Sequence, residues 1–89
     1  MINLTMENLE KCFDAAMKNS AKFIGVKIRT EGNKEDEIII NPNANFENKL
    51  AYYKNAYTDD LVLKSFNGIS IIGFTYGNCF DDIEIDLLS

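Results

Sequence analysis

Few side chains in this chain could do covalent chemistry, and their spacing decides what each is worth. There is no histidine, so the commonest general base at neutral pH is missing. Cys12 and Cys79 are the only thiols, and neither has a visible activating partner to hold a thiolate. Carboxylates occur as adjacent pairs, Asp59-Asp60 and Asp81-Asp82. Neighbouring residues point apart on a helix and serve as caps in turns, and no EF-hand spacing surrounds either pair. Gly25, Gly68, Gly73 and Gly77 form neither a G-x-G-x-x-G nor a P-loop pattern. The expectation is a protein that is not an enzyme and uses no metal or cofactor.

Binding chemistry is better represented. Every Lys and Arg lies at or before Lys64, so residues 65–89 carry Asp81, Asp82, Glu84 and Asp86 with no offsetting cation. A compact acidic patch of this kind steers a basic partner and can imitate the phosphate spacing of a nucleic acid. A solvated acidic helix is the plainer alternative. Glu31, Glu35, Asp36 and Glu37 gather in a second acidic stretch, read as a solvated loop.

Composition bounds the partner class. The 89 residues are 46% hydrophobic and 26% charged, an ordinary globular balance for one domain spanning residues 1–89. A chain of this size buries only about 60–65% of its unfolded surface, so modest stability and a homodimer are expected. The net charge of −5 argues against nonspecific nucleic-acid binding. The opening MINLTMENLEKCF has no basic and apolar leader pattern, and no segment approaches the ~20 apolar residues of a membrane span. A cytoplasmic protein with no membrane partner and with free, reduced cysteines follows.

The elements that would position these groups can be read in order. Thr5 is a good N-cap for a helix running to about Ser20, with Leu4 and Leu9 placed as a hydrophobic staple. Met6, Leu9, Phe13, Ala16 and Met17 make its apolar stripe, and Glu7 with Lys11 and Asp14 with Lys18 pair on its wet sides. In KFIGVKIRT, Ile24, Val26 and Ile28 alternate with Phe23, Gly25, Lys27 and Arg29, the period of a strand. EGNKEDE turns the chain into a second strand, EIIIN, which Asn41-Pro42-Asn43 ends. A helix over about Ala44–Tyr57, capped by Asn43 or Asn45, buries Phe46, Leu50, Tyr53 and Tyr57. Tyr52 falls off that stripe and is a candidate partner contact.

Thr58-Asp59-Asp60 leads into the best-specified local signal, LVLKSF-NG-ISIIGFTY, where Asn67-Gly68 predicts a type I′ turn between two strands. Gly77-Asn78 ends the last strand. The tail fits a short helix capped by Asn78, with Phe80, Ile83 and Leu87 in its stripe, while Ile83, Ile85 and Leu87 also alternate like a strand. The predicted order is α-β-β-α-β-β-α, an α+β two-layer fold with a four-stranded antiparallel sheet and helices on one face. Two helix-hairpin units then repeat in rhythm, with Leu9 matching Phe46 and Ile24 matching Leu61.

A two-residue turn pairs Phe66 with Ile69, Lys64 with Ile71, Leu63 with Ile72 and Leu61 with Phe74. That register sends Leu61, Leu63, Ile72 and Phe74 to the core. It leaves Val62, Lys64, Phe66, Ile69 and Ile71 on the far face, joined by Phe23, Lys27, Arg29 and Ile39 of the first hairpin. So apolar a face is expected to be covered by a second copy or by the C-terminal segment. As an alternative it is a ligand platform, where Phe23 or Phe66 stacks on a base while Lys27, Arg29 and Lys64 hold the phosphate of a nucleotide.

Usage rich in Asn, Ile, Lys, Phe and Tyr, with a single Arg and no Trp, is what AT-rich codons produce. The run INPNANFENKLAYYKNAYTDDLVLKSFNGISIIGFTYG resembles small proteins encoded by phages, prophages and mobile elements of Firmicutes, over roughly the last two thirds of the chain. The resemblance implies an accessory or counter-defence protein that binds and modulates a host or phage protein, as inhibitors of CRISPR nucleases do. It carries over no functional residue.

Overall fold

Thr5 starts the first helix, α1 (Met6–Lys18), by accepting the Asn8 amide on its hydroxyl at 3.2 Å, which satisfies one of the amides a helix start leaves unpaired. The computed structural model describes residues 3–88. At the C-terminal end of α1, Ser20 adopts the left-handed conformation with φ 54°. The Ala21 and Ser20 amides then donate to the Ala16 and Met17 carbonyls at 2.9 and 3.2 Å, a Schellman closure with serine where glycine is usual. Met6, Leu9, Phe13 and Ala16 are buried as the stripe predicts, whereas Met17, in the last turn, stands 40% exposed.

The alternating segment forms β1 (Phe23–Thr30), which pairs antiparallel with β2 (Glu37–Pro42) in the register Ile24 to Asn41 and Val26 to Ile39. Pro42 is tolerated because β2 lies at a sheet edge, where its missing amide breaks no ladder bond. A 3-10 turn over Asn43–Asn45 leads into α2 (Phe46–Ala56). Neither Asn43 nor Asn45 accepts a helix amide on its side chain as the expected cap would. Phe46, Tyr53 and Tyr57 are buried and Leu50 packs beside them, so the predicted stripe is the one α2 uses.

The hairpin signal does not form as its turn residues imply. Gly32 is the only described glycine with positive φ, so Asn67-Gly68 is not a type I′ turn. Residues 61–66 are not a strand: they make only the isolated bridges Tyr57 to Leu63 and Val62 to Ser70. Among the described residues the sheet therefore has three strands, not four, in the order β2-β1-β3 with β3 at Ile69–Gly77. The physical reason lies at Leu61, which is fully buried with φ 64°. Burying that side chain bends the backbone out of strand geometry directly after the Thr58–Leu61 turn, where the Leu61 amide donates to the Thr58 carbonyl at 2.9 Å. The Leu63 amide then reaches the Ile69 carbonyl at 2.9 Å, leaving residues 64–68 as a loop.

This shift reassigns the faces. Val62 opposes Ser70, a slip of an odd number of residues from the register of a two-residue turn, and an odd slip exchanges the faces. A register irregularity opposite Lys27 and Ile28 leaves Ile72 as the extra residue, since Lys27 pairs with Gly73 and Ile28 with Ile71. The bulge lets both Ile71 and Phe74 enter the core. Ile71, expected outside, is 1% exposed; Ile72, expected inside, is only half-buried.

The tail is a helix, α3 (Phe80–Leu88), as in the predicted element order, and Asn78, expected as its cap, is engaged elsewhere. The Asn78 side-chain oxygen instead accepts the Lys22 amide at 3.1 Å, and the first helical bond runs from the Ile83 amide to the Cys79 carbonyl at 3.3 Å. α1 and α2 cover the face of Ile24 and Val26, whereas α3 lies against Gly25, Gly73 and Gly77 on the other. Three layers thus replace the predicted two, with helices on both faces of the sheet. Among the described residues no helix is long and apolar enough to cross a membrane.

Candidate functional site

α3 sits where side chains are absent. A Cβ on Gly25 would collide with the Ile83 side chain and approach Leu87 to 3.0 Å, and one on Gly73 or Gly77 would touch Leu87 or Ile83 at 3.4 Å. These glycines form a shallow cradle across β1 and β3 that admits the helix close to the sheet. Ile83 and Leu87 fill it and are buried. Phe80 meets Phe23 edge-on with ring centroids 4.7 Å apart, and the Lys27 ammonium donates to the Leu87 carbonyl at 2.7 Å. A cation on the last turn satisfies an open carbonyl and complements the negative end of the helix dipole.

The expected dimer or ligand face is therefore closed or dispersed. Phe23 and Lys27 lie under α3. Arg29 is committed to Asp36 through bonds of 3.0 and 3.1 Å, with Lys27 3.9 Å from the same carboxylate. The Arg29 guanidinium holds the Asp36 carboxyl below its ordinary range by hydrogen bonding. Ile69 packs on the core cluster and Ile71 belongs to it. Ile39 pairs with Val26 on the α1/α2 face, and Ile38 and Ile40, beside Lys27 and Gly25, take the place it was expected to hold. Lys64 and Phe66 stand exposed on the loop. No one surface gathers these residues around a nucleotide; the C-terminal segment, one of the two covers expected, occupies the sheet face instead.

The acidic residues remain at the surface. Asp81, Asp82, Glu84 and Asp86 are all exposed on α3, with Asp81 and Asp82 in its first turn where the dipole favours them. Between them stand side chains the sequence reading did not single out as a surface, Ile85 at 67% and Leu88 at 68% exposure, with Phe80 at 52%. Their signal was available: once the tail is helical, Asp81, Ile85 and Leu88 follow one another at four and three residues, away from Ile83 and Leu87. Tyr52 is 50% exposed, under the Lys49 ammonium at 5.6 Å. It lies on α2, so the sheet separates it from the acidic helix.

A second feature also escaped the sequence reading. Between α1 and the outer edge of β3 runs a groove of about 460 Å³ lined by Asn3, Asn8, Lys11, Cys12, Phe74, Thr75 and Tyr76. Burial pushes the Cys12 thiol up to about 11, so at neutral pH it is a protonated, weakly nucleophilic group. Asn41 and Tyr53 are both buried, and among the described residues neither the Asn41 amide nitrogen nor the Tyr53 hydroxyl meets hydrogen-bond geometry with a partner. Burial pushes the Tyr53 hydroxyl up to about 12, with the nearby Asn41 amide opposing the shift. Among the described residues no three His, Cys, Asp or Glu side chains converge as a metal-binding group.

Comparison of the chain with protein-family models, with curated proteins and with solved structures gives no match.

Proposed function

We propose that this chain is a non-enzymatic accessory protein, of the kind that phages and mobile elements of Firmicutes encode, and that it binds and modulates a protein partner through α3. The reading rests on one observation above the others: α3 directs Ile85 and Leu88 into water among Asp81, Asp82 and Glu84. A helix that only roofed the sheet would need apolar residues on its inner side alone. Exposed aliphatic side chains ringed by acids match a partner surface that is apolar at its centre and basic at its rim. The acids set the encounter rate and its salt dependence, and the aliphatic pair supplies desolvated contact area.

Affinity capture from a host lysate with the tagged protein tests this. A stoichiometric protein partner is expected, released progressively by salt. The triple variant Asp81→Asn, Asp82→Asn, Glu84→Gln should weaken capture, and Ile85→Asp should abolish it. Full capture by both variants would remove α3 from the interface.

A further inference from the structure

The two edges of the sheet are built differently. β2 carries Glu37 at its start and Pro42 at its end, the charge and proline with which proteins protect an edge from pairing with another chain. β3 has neither: Ile69–Gly77 reads ISIIGFTYG, with no charged residue and no proline. Its outer edge is partnered at the start, where the Leu63 amide donates to the Ile69 carbonyl and the Ile71 amide to the Leu61 carbonyl. Beyond Ile71, among the described residues, β3 pairs only with β1. An extended, uncharged ladder edge is a template for another strand.

The sequence of that open stretch fits one occupant. Gly73-Phe74-Thr75-Tyr76-Gly77 has the same chemical types read in either direction. We infer that this edge pairs with the same edge of a second copy, antiparallel about a two-fold axis at Thr75. Such an isologous contact sets Thr75 opposite Thr75, Phe74 opposite Tyr76 and Gly73 opposite Gly77. Thr–Thr and aromatic–aromatic pairs are among the combinations that stabilise antiparallel neighbours. Charge favours this site as well. The chain carries −5 overall, so contact through α3 would set acids against acids, whereas nothing on β3 repels its own copy. Lys11, the charged side chain lining the adjoining groove, already has Glu7 at 3.4 Å. The result is a continuous six-stranded sheet made from three strands of each copy, with the groove along the junction. This inference does not depend on the role proposed for α3, which stays exposed in the dimer.

Light scattering on the full chain should give twice the 10.1 kDa of one copy, and Tyr76→Lys, which faces a cation toward Phe74 across the junction, should raise the dimer dissociation constant by roughly tenfold or more. In a Cys12→Ala, Cys79→Ser background, Thr75→Cys should oxidise to a covalent dimer, because directly opposed strand residues lie within disulfide reach. Ile85→Cys in the same background should not. Circular dichroism of each variant separates loss of pairing from loss of fold, and the mass of the unsubstituted chain decides the matter if a variant does not fold. A mass of 10.1 kDa at every concentration would overturn the inference. So would a dimer indifferent to Tyr76→Lys, or cross-linking through Ile85→Cys in place of Thr75→Cys.

Discussion

The two faces of the sheet are closed by opposite means. On one, α1 and α2 bring bulk: Leu9, Phe13, Ile24, Val26 and Leu61 are fully buried, and Phe13 stands edge-on to Phe46 at 5.9 Å. On the other, α3 contributes two buried side chains, Ile83 and Leu87, and the sheet makes room with glycine. The first face supplies most of the hydrophobic free energy, at about 1.5–3 kcal/mol for each large side chain removed from water. The second supplies placement, holding an acidic helix at a fixed height and rotation with little area to anchor it. Stability and presentation are divided between two sides of one sheet.

The division can be tested by attacking each side. Phe13→Ala should cost about 4 kcal/mol in urea unfolding, because the ring leaves a cavity that close-packed neighbours fill only in part. High pH acts on the same side. Tyr53 and Cys12 are both held protonated by burial, up to about 12 and about 11 against ordinary values of 10.0 and 9.0. The folded state keeps these protons after the unfolded chain has lost them, so their contribution is complete below pH 9 and disappears as pH rises through the folded values. The unfolding free energy from urea titrations should hold to pH 9 and then fall, by about 3 kcal/mol for Tyr53 once pH passes its folded value. Tyr53→Phe, which removes the titrating hydroxyl, should flatten that decline.

The α3 side should respond less in energy and more locally. Gly25→Val should cost about 2 kcal/mol by overpacking and speed hydrogen exchange across α3 while α1 amides keep their protection. Gly73→Ala is its control, because the added methyl meets Leu87 at an ordinary 3.4 Å. Equal loss of protection in α1 and α3 would show that the two sides do not act separately.

The parts legible in the sequence were those set by local periodicity. The stripe of α2, the alternation of β1 and the Thr5 cap each depend on residues within a turn or two of one another. What misled was also local: Asn67-Gly68 is a strong turn signal, but burial of Leu61 overrode it, and no window around residues 66–69 contains that information. The faces of β3 then followed the true register and the Ile72 bulge, which depend on pairing with β1. The expected binding face failed for the same reason. Its residues were grouped by an assumed register, and the structure sends Ile71 to the core, Lys27 beneath α3 and Arg29 to Asp36. The helical tail was legible because the spacing of Ile83 and Leu87 is local, although its seat on the sheet depends on the register that brings Gly25, Gly73 and Gly77 together.

The strand order β2-β1-β3 also imposes a sequence of events in time. β1 and β2 are joined by a short connection and can pair as soon as both exist, while β1 meets β3 only after the whole of α2 and the loop beyond it have been made. That closure carries the larger entropic cost and belongs late in folding. α3 touches all three strands, so its seat does not exist until β3 has docked. A chain in which β3 has not yet docked therefore leaves α3 without a seat, and the acidic residues of the helix then keep a briefly unhoused apolar segment in solution.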